Sequence, residues 1–249
     1  DWITDLVKLN KSFIVKRSLS MREMLLASKL LSEYMHYVIN DKHDNVWIAQ
    51  REGRAKDSND RTQEAILKMM IMGGKGSVVD SLLDLHLVPL AISYEYDPCD
   101  FLKAQEFQLK RDIPGWKKSA QDDIVSMQTG IMGYKGHIHY HAAPCIDAWL
   151  RELPADTPKA DIFRIIAEHI DREIHAHYQL FPSNFVALDM LQGNAAHADE
   201  YSAADKAQFE KYLAGQLAKI QIENKDEAYL RECILKMYAN PAINQLALA

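Results

Sequence analysis

No stretch of this chain stays apolar for the roughly 18 residues that a bilayer-spanning helix needs, so a membrane-spanning segment is not expected. No charged-then-apolar leader with a small-residue cleavage site opens it; it begins at Asp1 rather than Met, which reads as an incomplete N-terminus. Cysteine is scarce: Cys99, Cys145 and Cys233 are odd in number and widely spaced. That spacing excludes a disulfide framework and a zinc-ribbon pattern, and it points to a reducing, cytoplasmic setting. An excess of basic charge is also missing. With 29 Lys and Arg against 35 Asp and Glu the net charge is −6, so bulk electrostatics give no reason to expect nucleic acid. Any anionic ligand must instead meet a local basic cluster.

What remains is ordinary globular material, 48% hydrophobic and 26% charged over 249 residues. That length suffices for one large α/β domain or a domain with an extension. No internal repeat is visible. Ser20-Met21-Arg22-Glu23 forms a capping box, and Leu26, Leu30, Tyr34 and Val38 recur at helical spacing, predicting a helix over 20–39 with a core-facing stripe. A second helix is expected from residue 60 or 61 to 72, stopped by Gly73-Gly74, and a short third one from Ser77 to near His86. Between these helices lie three brief β-like runs, 12–17, 46–49 and 87–95. Helical crossovers between strands imply parallel pairing with a right-handed connection. All three runs would then end on one rim, where open α/β sheets bind ligands.

The runs carry a recognisable chemistry. Ser12-Phe13-Ile14-Val15-Lys16-Arg17 ends in two cations, Val46-Trp47-Ile48-Ala49 leads to Arg51-Glu52-Gly53-Arg54, and Leu87-Val88-Pro89-Leu90-Ala91-Ile92-Ser93-Tyr94-Glu95 closes the set. In this order and spacing they resemble the second, third and fourth signature blocks of the phospholipid/glycerol acyltransferase family. The resemblance covers about residues 1–150. It implies a mainly parallel α/β sheet flanked by helices, an acyltransferase-like domain over 1–153, and a helical C-terminal extension over 154–249. It also implies transfer of a fatty acyl group from acyl-CoA or acyl carrier protein to a glycerol-phosphate-type acceptor, with no metal or redox cofactor. Arg17 falls on the arginine that grips the acceptor phosphate, with Lys16 beside it, and Glu52 and Gly53 fall on the Glu-Gly pair of the third block. The family continues that pair with any residue and then Arg; here Arg54 follows at once and Ala55 stands where the Arg would be. Val88 and Pro89 fall on the acyl-donor side. By the same resemblance the enzyme sits peripherally on the cytoplasmic face of a bacterial membrane.

The family's first block, His-x-x-x-x-Asp, holds the general base and precedes the second. Only eleven residues precede Ser12, so no catalytic residue is assigned and the chain by itself is expected to be inactive. A non-catalytic module that binds an anionic lipid or phosphoester is the alternative. His36 and Asp41 fit the first block literally, but they follow the second block and read as a helix C-terminus, where a His is favourable. A strand over 136–146 would align His137, His139 and His141 on one face, where metal ligation competes with a half-exposed surface. The pairs His169/Glu173, Asp171/His175 and Glu173/His177 have the i,i+4 spacing of salt bridges on a solvated helix face. Phe101, Phe107, Trp116 and neighbouring lysines fit a core-packed amphipathic helix better than a lipid-facing one. Beyond residue 154, Thr157-Pro158, Ser202-x-x-Asp205 and Asn224-x-x-Glu227 mark helix starts.

Overall fold

Ser20 caps the first helix of the structure, a computed structural model that describes residues 20–51 and 55–248. Glu23 N donates to the Ser20 hydroxyl, and the Glu23 carboxylate accepts from Ser20 N at 2.9 Å. Two amides left over by helix geometry are thereby satisfied. In chain order the elements are α1 (Met21–Asn40), α2 (Glu64–Met70), a 3-10 turn (Ile71–Gly73), α3 (Val78–Leu83), β1 (Leu90–Tyr94), α4 (Asp100–Asp112) and α5 (Ala120–Met132). They continue with β2 (Ile138–Ala142), α6 (Asp147–Glu152), α7 (Ile162–Ala176), α8 (Pro182–Gln192), a second 3-10 turn (Ala198–Glu200), α9 (Ala203–Lys219) and α10 (Glu227–Leu246). The same serine-carboxylate box that opens α1 opens α3, α5 and α9, through Ser77 and Asp80, Ser119 and Asp122, and Ser202 and Asp205. The Asn224-x-x-Glu227 pattern places a cap at Asn224, but α10 starts later, at Glu227, and its cap is Asp226. Thr157-Pro158 makes a turn, and α7 begins later, at Ile162. No described helix is long and apolar enough to cross a membrane.

The chain divides into two compact units. The first draws its described residues from 20–51, 63–88 and 145–167, the second from 55–62, 89–144 and 168–248. In the first, α1 meets the turn after α2 almost backbone to backbone. Ser32 Oγ donates to the Met70 carbonyl at 2.5 Å and accepts from Gly73 N at 2.8 Å. His36 Nε2 donates to the same carbonyl at 3.1 Å. A Cβ on Gly73 would stand 2.3 Å from the Glu33 backbone nitrogen, so only glycine fits. This close approach corrects the expected stripe: Ser32, Met35 and His36 face inward, while Leu26, Leu30 and Tyr34 are 60%, 68% and 51% exposed. Leucines do not fit where two backbones nearly touch. Leu67, Leu82, Leu85, Ile146 and Leu150 complete this core.

The sheet overturns the expected fold class. The described residues are mostly helical and form one two-stranded sheet, not a mainly parallel sheet flanked by helices. β1 and β2 pair antiparallel, with Leu90 opposite Ala142, Ile92 opposite Tyr140 and Tyr94 opposite Ile138. One crossover helix returns a chain to the edge where its strand began, which forces parallel pairing. Two helices, α4 and α5, separate β1 from β2, so the chain re-enters at the end it left and runs back. Residues 46–49 form no strand; Trp47 is 77% exposed. Residues 12–17 lie outside the described residues.

The second unit has the larger core. Phe209, Leu213 and Leu217 of α9, Leu230 and Ile234 of α10, Val186 of α8 and Ala104 of α4 are all buried in it. At its centre Asp100, wholly shielded from solvent, opens α4. Its Oδ2 accepts from the hydroxyls of Tyr212 at 2.7 Å and Tyr238 at 2.8 Å. Its Oδ1 accepts from Phe101 N, and Tyr238 Oη accepts from Asp97 N at 3.0 Å. Burial pushes the Asp100 carboxyl up to about 6, against the pull of the two tyrosine hydroxyls. The folded chain therefore holds this proton more tightly than the unfolded one. The stability this group contributes is full below about pH 4 and is lost as the pH rises through about 6. Tyr238→Phe removes a donor to the charged form. It is expected to cost about 1.5–3 kcal/mol at pH 7 and less at pH 5, measured by urea unfolding at both. Equal losses at the two pH values would show that the hydroxyl does not stabilise a carboxylate.

Candidate functional site

Lys16, Arg17, Glu52, Gly53 and Arg54 lie outside the described residues. Val88 and Pro89 lie within them. Val88 is 51% exposed, and Pro89 is buried directly before β1. The Pro89 carbonyl accepts from Ala143 N at 2.9 Å. Proline thus extends the ladder by its acceptor at a place that demands no donor.

The described chain resumes at Ala55, one residue after the third block, and its course to Thr62 is fixed by hydrogen bonds inside the second unit. Ala55 N donates to Asp60 Oδ1 at 3.0 Å. Asp171 of α7 accepts from both the backbone nitrogen and the hydroxyl of Thr62, at 2.8 and 2.7 Å. Arg61 donates to Asn244 Oδ1 of α10 at 2.8 Å and lies 3.4 Å from His175 Nδ1. Asn244 Nδ2 in turn reaches Asn59 Oδ1 at 3.2 Å, and Asn240 Nδ2 donates to the Asp57 carbonyl at 2.7 Å. A guanidinium only donates, so Arg61 is the donor in this long contact, and the buried His175 Nε2 has no partner. Burial and the Arg61 charge hold the His175 imidazole below its usual value, so it is neutral at pH 7. The arrangement is a hydrogen-bonded mount for the segment leaving residues 51–54.

This mount corrects one sequence expectation. Asp171 and His175 are 8% and 1% exposed, not a salt bridge on a solvated face. The signal was present: they lie one position after Ile170 and Ile174, both buried, and so share the apolar side of α7. The cations of α4 are likewise committed. Glu106, nearly buried, pairs with Lys56 and, at 2.9 Å, with Lys110. Lys103 pairs with Asp97, and Arg111 bridges Asp112 and Asp226 at 2.6 and 2.9 Å. Phe101 and Phe107 pack on the core, so α4 is an amphipathic core helix.

The histidines sort themselves by geometry. His36 is tied to the Met70 carbonyl. His139 and His141 share the half-buried face of β2, and the ring of His141 stacks on that of His177, 4.1 Å apart and 7° from parallel. Among the described residues, the group of three whose donor atoms are close enough to share a cation is His86, Cys145 and Asp147. Sequence reading passed over it because His86 is far along the chain from the other two. Comparison with known proteins gives no match: no family model, no curated protein and no solved structure corresponds to this chain.

Asp171→Ala strands the Thr62 amide and hydroxyl at a cost of about 1–3 kcal/mol. It is expected to raise the rate of trypsin cleavage after Lys56 and Arg61 about tenfold or more, read by mass spectrometry of timed digests. Unchanged cleavage would show that Asp171 does not hold the segment.

Proposed function

We propose that the protein belongs to an enzyme that moves a fatty acyl group from acyl-CoA or acyl carrier protein to a glycerol-phosphate-type acceptor in phospholipid synthesis. The order and spacing of residues 12–17, 51–54 and 87–95 carry this reading. Arg17, with Lys16, offers the forked donors that suit a phosphate, and Glu52, Gly53 and Arg54 continue the acceptor side. The β1 segment after Val88 and Pro89 serves the donor side. The acylated product is an amphiphile, which goes with a peripheral place at a membrane surface.

In the reaction a general base takes the proton of the acceptor hydroxyl, and the oxygen attacks the thioester carbonyl. The carbon–sulfur bond breaks, and the carrier leaves as a thiol. His36 does not supply the base, because its Nε2 already donates to a backbone carbonyl and its side chain is buried. The second reading is a phosphoester-binding module without turnover of its own.

Calorimetric titration with glycerol 3-phosphate, alongside an acyl-transfer assay with acyl-CoA, tests both. Binding is expected, and Arg17→Ala should weaken it about tenfold or more, as for loss of a charge-assisted bond. Binding without turnover is the expected pair of results for residues 1–249. Absence of both binding and turnover would overturn the assignment.

A further inference from the structure

His86, Cys145 and Asp147 lie at the surface of the first unit, and their donor atoms all fall within 4.8 Å of one another. They are presented by anchored neighbours. His86 stands between Leu85, which is 4% exposed, and Leu87, whose carbonyl accepts from Ile146 N at 3.0 Å. Cys145 and Asp147 flank that same Ile146, itself 2% exposed. His86 and Cys145 are exposed and Asp147 is part-buried beside them, all on a chain pinned by these neighbours, which is how a binding constellation keeps its geometry. His86 also adopts a left-handed backbone, φ +48°, a conformation that costs a non-glycine residue about 1–2 kcal/mol.

The carboxylate is only half used. Asp147 Oδ2 lies 2.7 Å from His86 Nδ1 and 3.8 Å from Arg151 Nη2, whereas Oδ1 is buried and makes no hydrogen bond. Buried polar atoms are nearly always partnered. A cation seated here would replace the contact between His86 Nδ1 and Asp147 Oδ2, taking one imidazole nitrogen, one carboxylate oxygen and Sγ as its donors.

We propose that His86, Cys145 and Asp147 bind one divalent cation of the zinc class through an imidazole nitrogen, Sγ and a carboxylate oxygen. Nitrogen and sulfur donors select such a cation over calcium or magnesium. A tetrahedral zinc sets its donors about 3.3–3.8 Å apart, so the side chains close on it by rotation about their own bonds. Arg151 is 61% exposed and free to swing away. The fourth position is left to water. Burial and the Asp147 carboxylate hold the Cys145 thiol above its usual value. A metal takes the cysteine as its thiolate, so binding releases the thiol proton. The site clips the turn after α3 to the start of α6, and it is independent of the acyl-transfer reading.

The test uses the whole chain without a His tag, stripped by chelator and titrated with Co²⁺ alone, then with Zn²⁺ in competition. One equivalent of Co²⁺ should produce a thiolate-to-cobalt charge-transfer band that Zn²⁺ abolishes. Cys145→Ser, at an exposed position, should remove the band, and His86→Ala should weaken Co²⁺ binding at least tenfold. Zn²⁺ should raise Tm of the wild-type chain but not of Cys145→Ser. No band at saturating Co²⁺, or a band that survives in Cys145→Ser, overturns the proposal.

Discussion

The second unit is organised around a carboxylate that solvent never reaches. Asp100 begins α4, and the hydroxyls that hold it come from α9 and α10. A buried charge without donors costs far more than one hydrogen bond returns, so the three helices are not free to slide past one another. Tyr212 and Tyr238 must bring their hydroxyls to one oxygen, and that requirement fixes where Phe209, Leu213, Leu230 and Ile234 pack. Apolar burial supplies most of the driving force, but it is not directional. The Asp100 network supplies the direction.

A similar division between force and direction appears in the first unit. Ser32 and His36 converge on the Met70 carbonyl, and Gly73 lets two backbones come within contact distance. The polar contacts specify the approach, and Leu67, Leu82 and Leu150 fill the space around it. The segment 55–62 follows the same logic, since its backbone and side chains are bonded to Asp171, Asn240 and Asn244. In all three places a polar side chain from a helix satisfies backbone or side-chain groups of an irregular segment that would otherwise be stranded.

The candidate metal site differs from these. His86 Nδ1 and Asp147 Oδ2 engage each other, while the second carboxylate oxygen has nothing to accept. A cluster presented on anchored backbone yet left unsatisfied has the character of a site awaiting a ligand, whereas Asp100 and Asp171 are satisfied within the fold. The proposed acyl-transfer role rests on separate residues, so the two readings stand or fall apart.

Sequence alone determined the helix starts, because a serine and an acidic residue three positions on satisfy local amides whatever surrounds them: Ser20, Ser77, Ser119 and Ser202 all cap helices. It also determined the strand at Leu90–Tyr94, a short β-branched and aromatic run entered through Pro89. Which face of α1 is buried, whether β1 meets a parallel or an antiparallel partner, and which distant side chains converge were decided only by tertiary structure. Periodicity shows that a face exists without saying what will press against it. Leu30 lost its place to Ser32 because the approaching element was a backbone turn, and His86 found Cys145 because Ile146 N bonds to the Leu87 carbonyl.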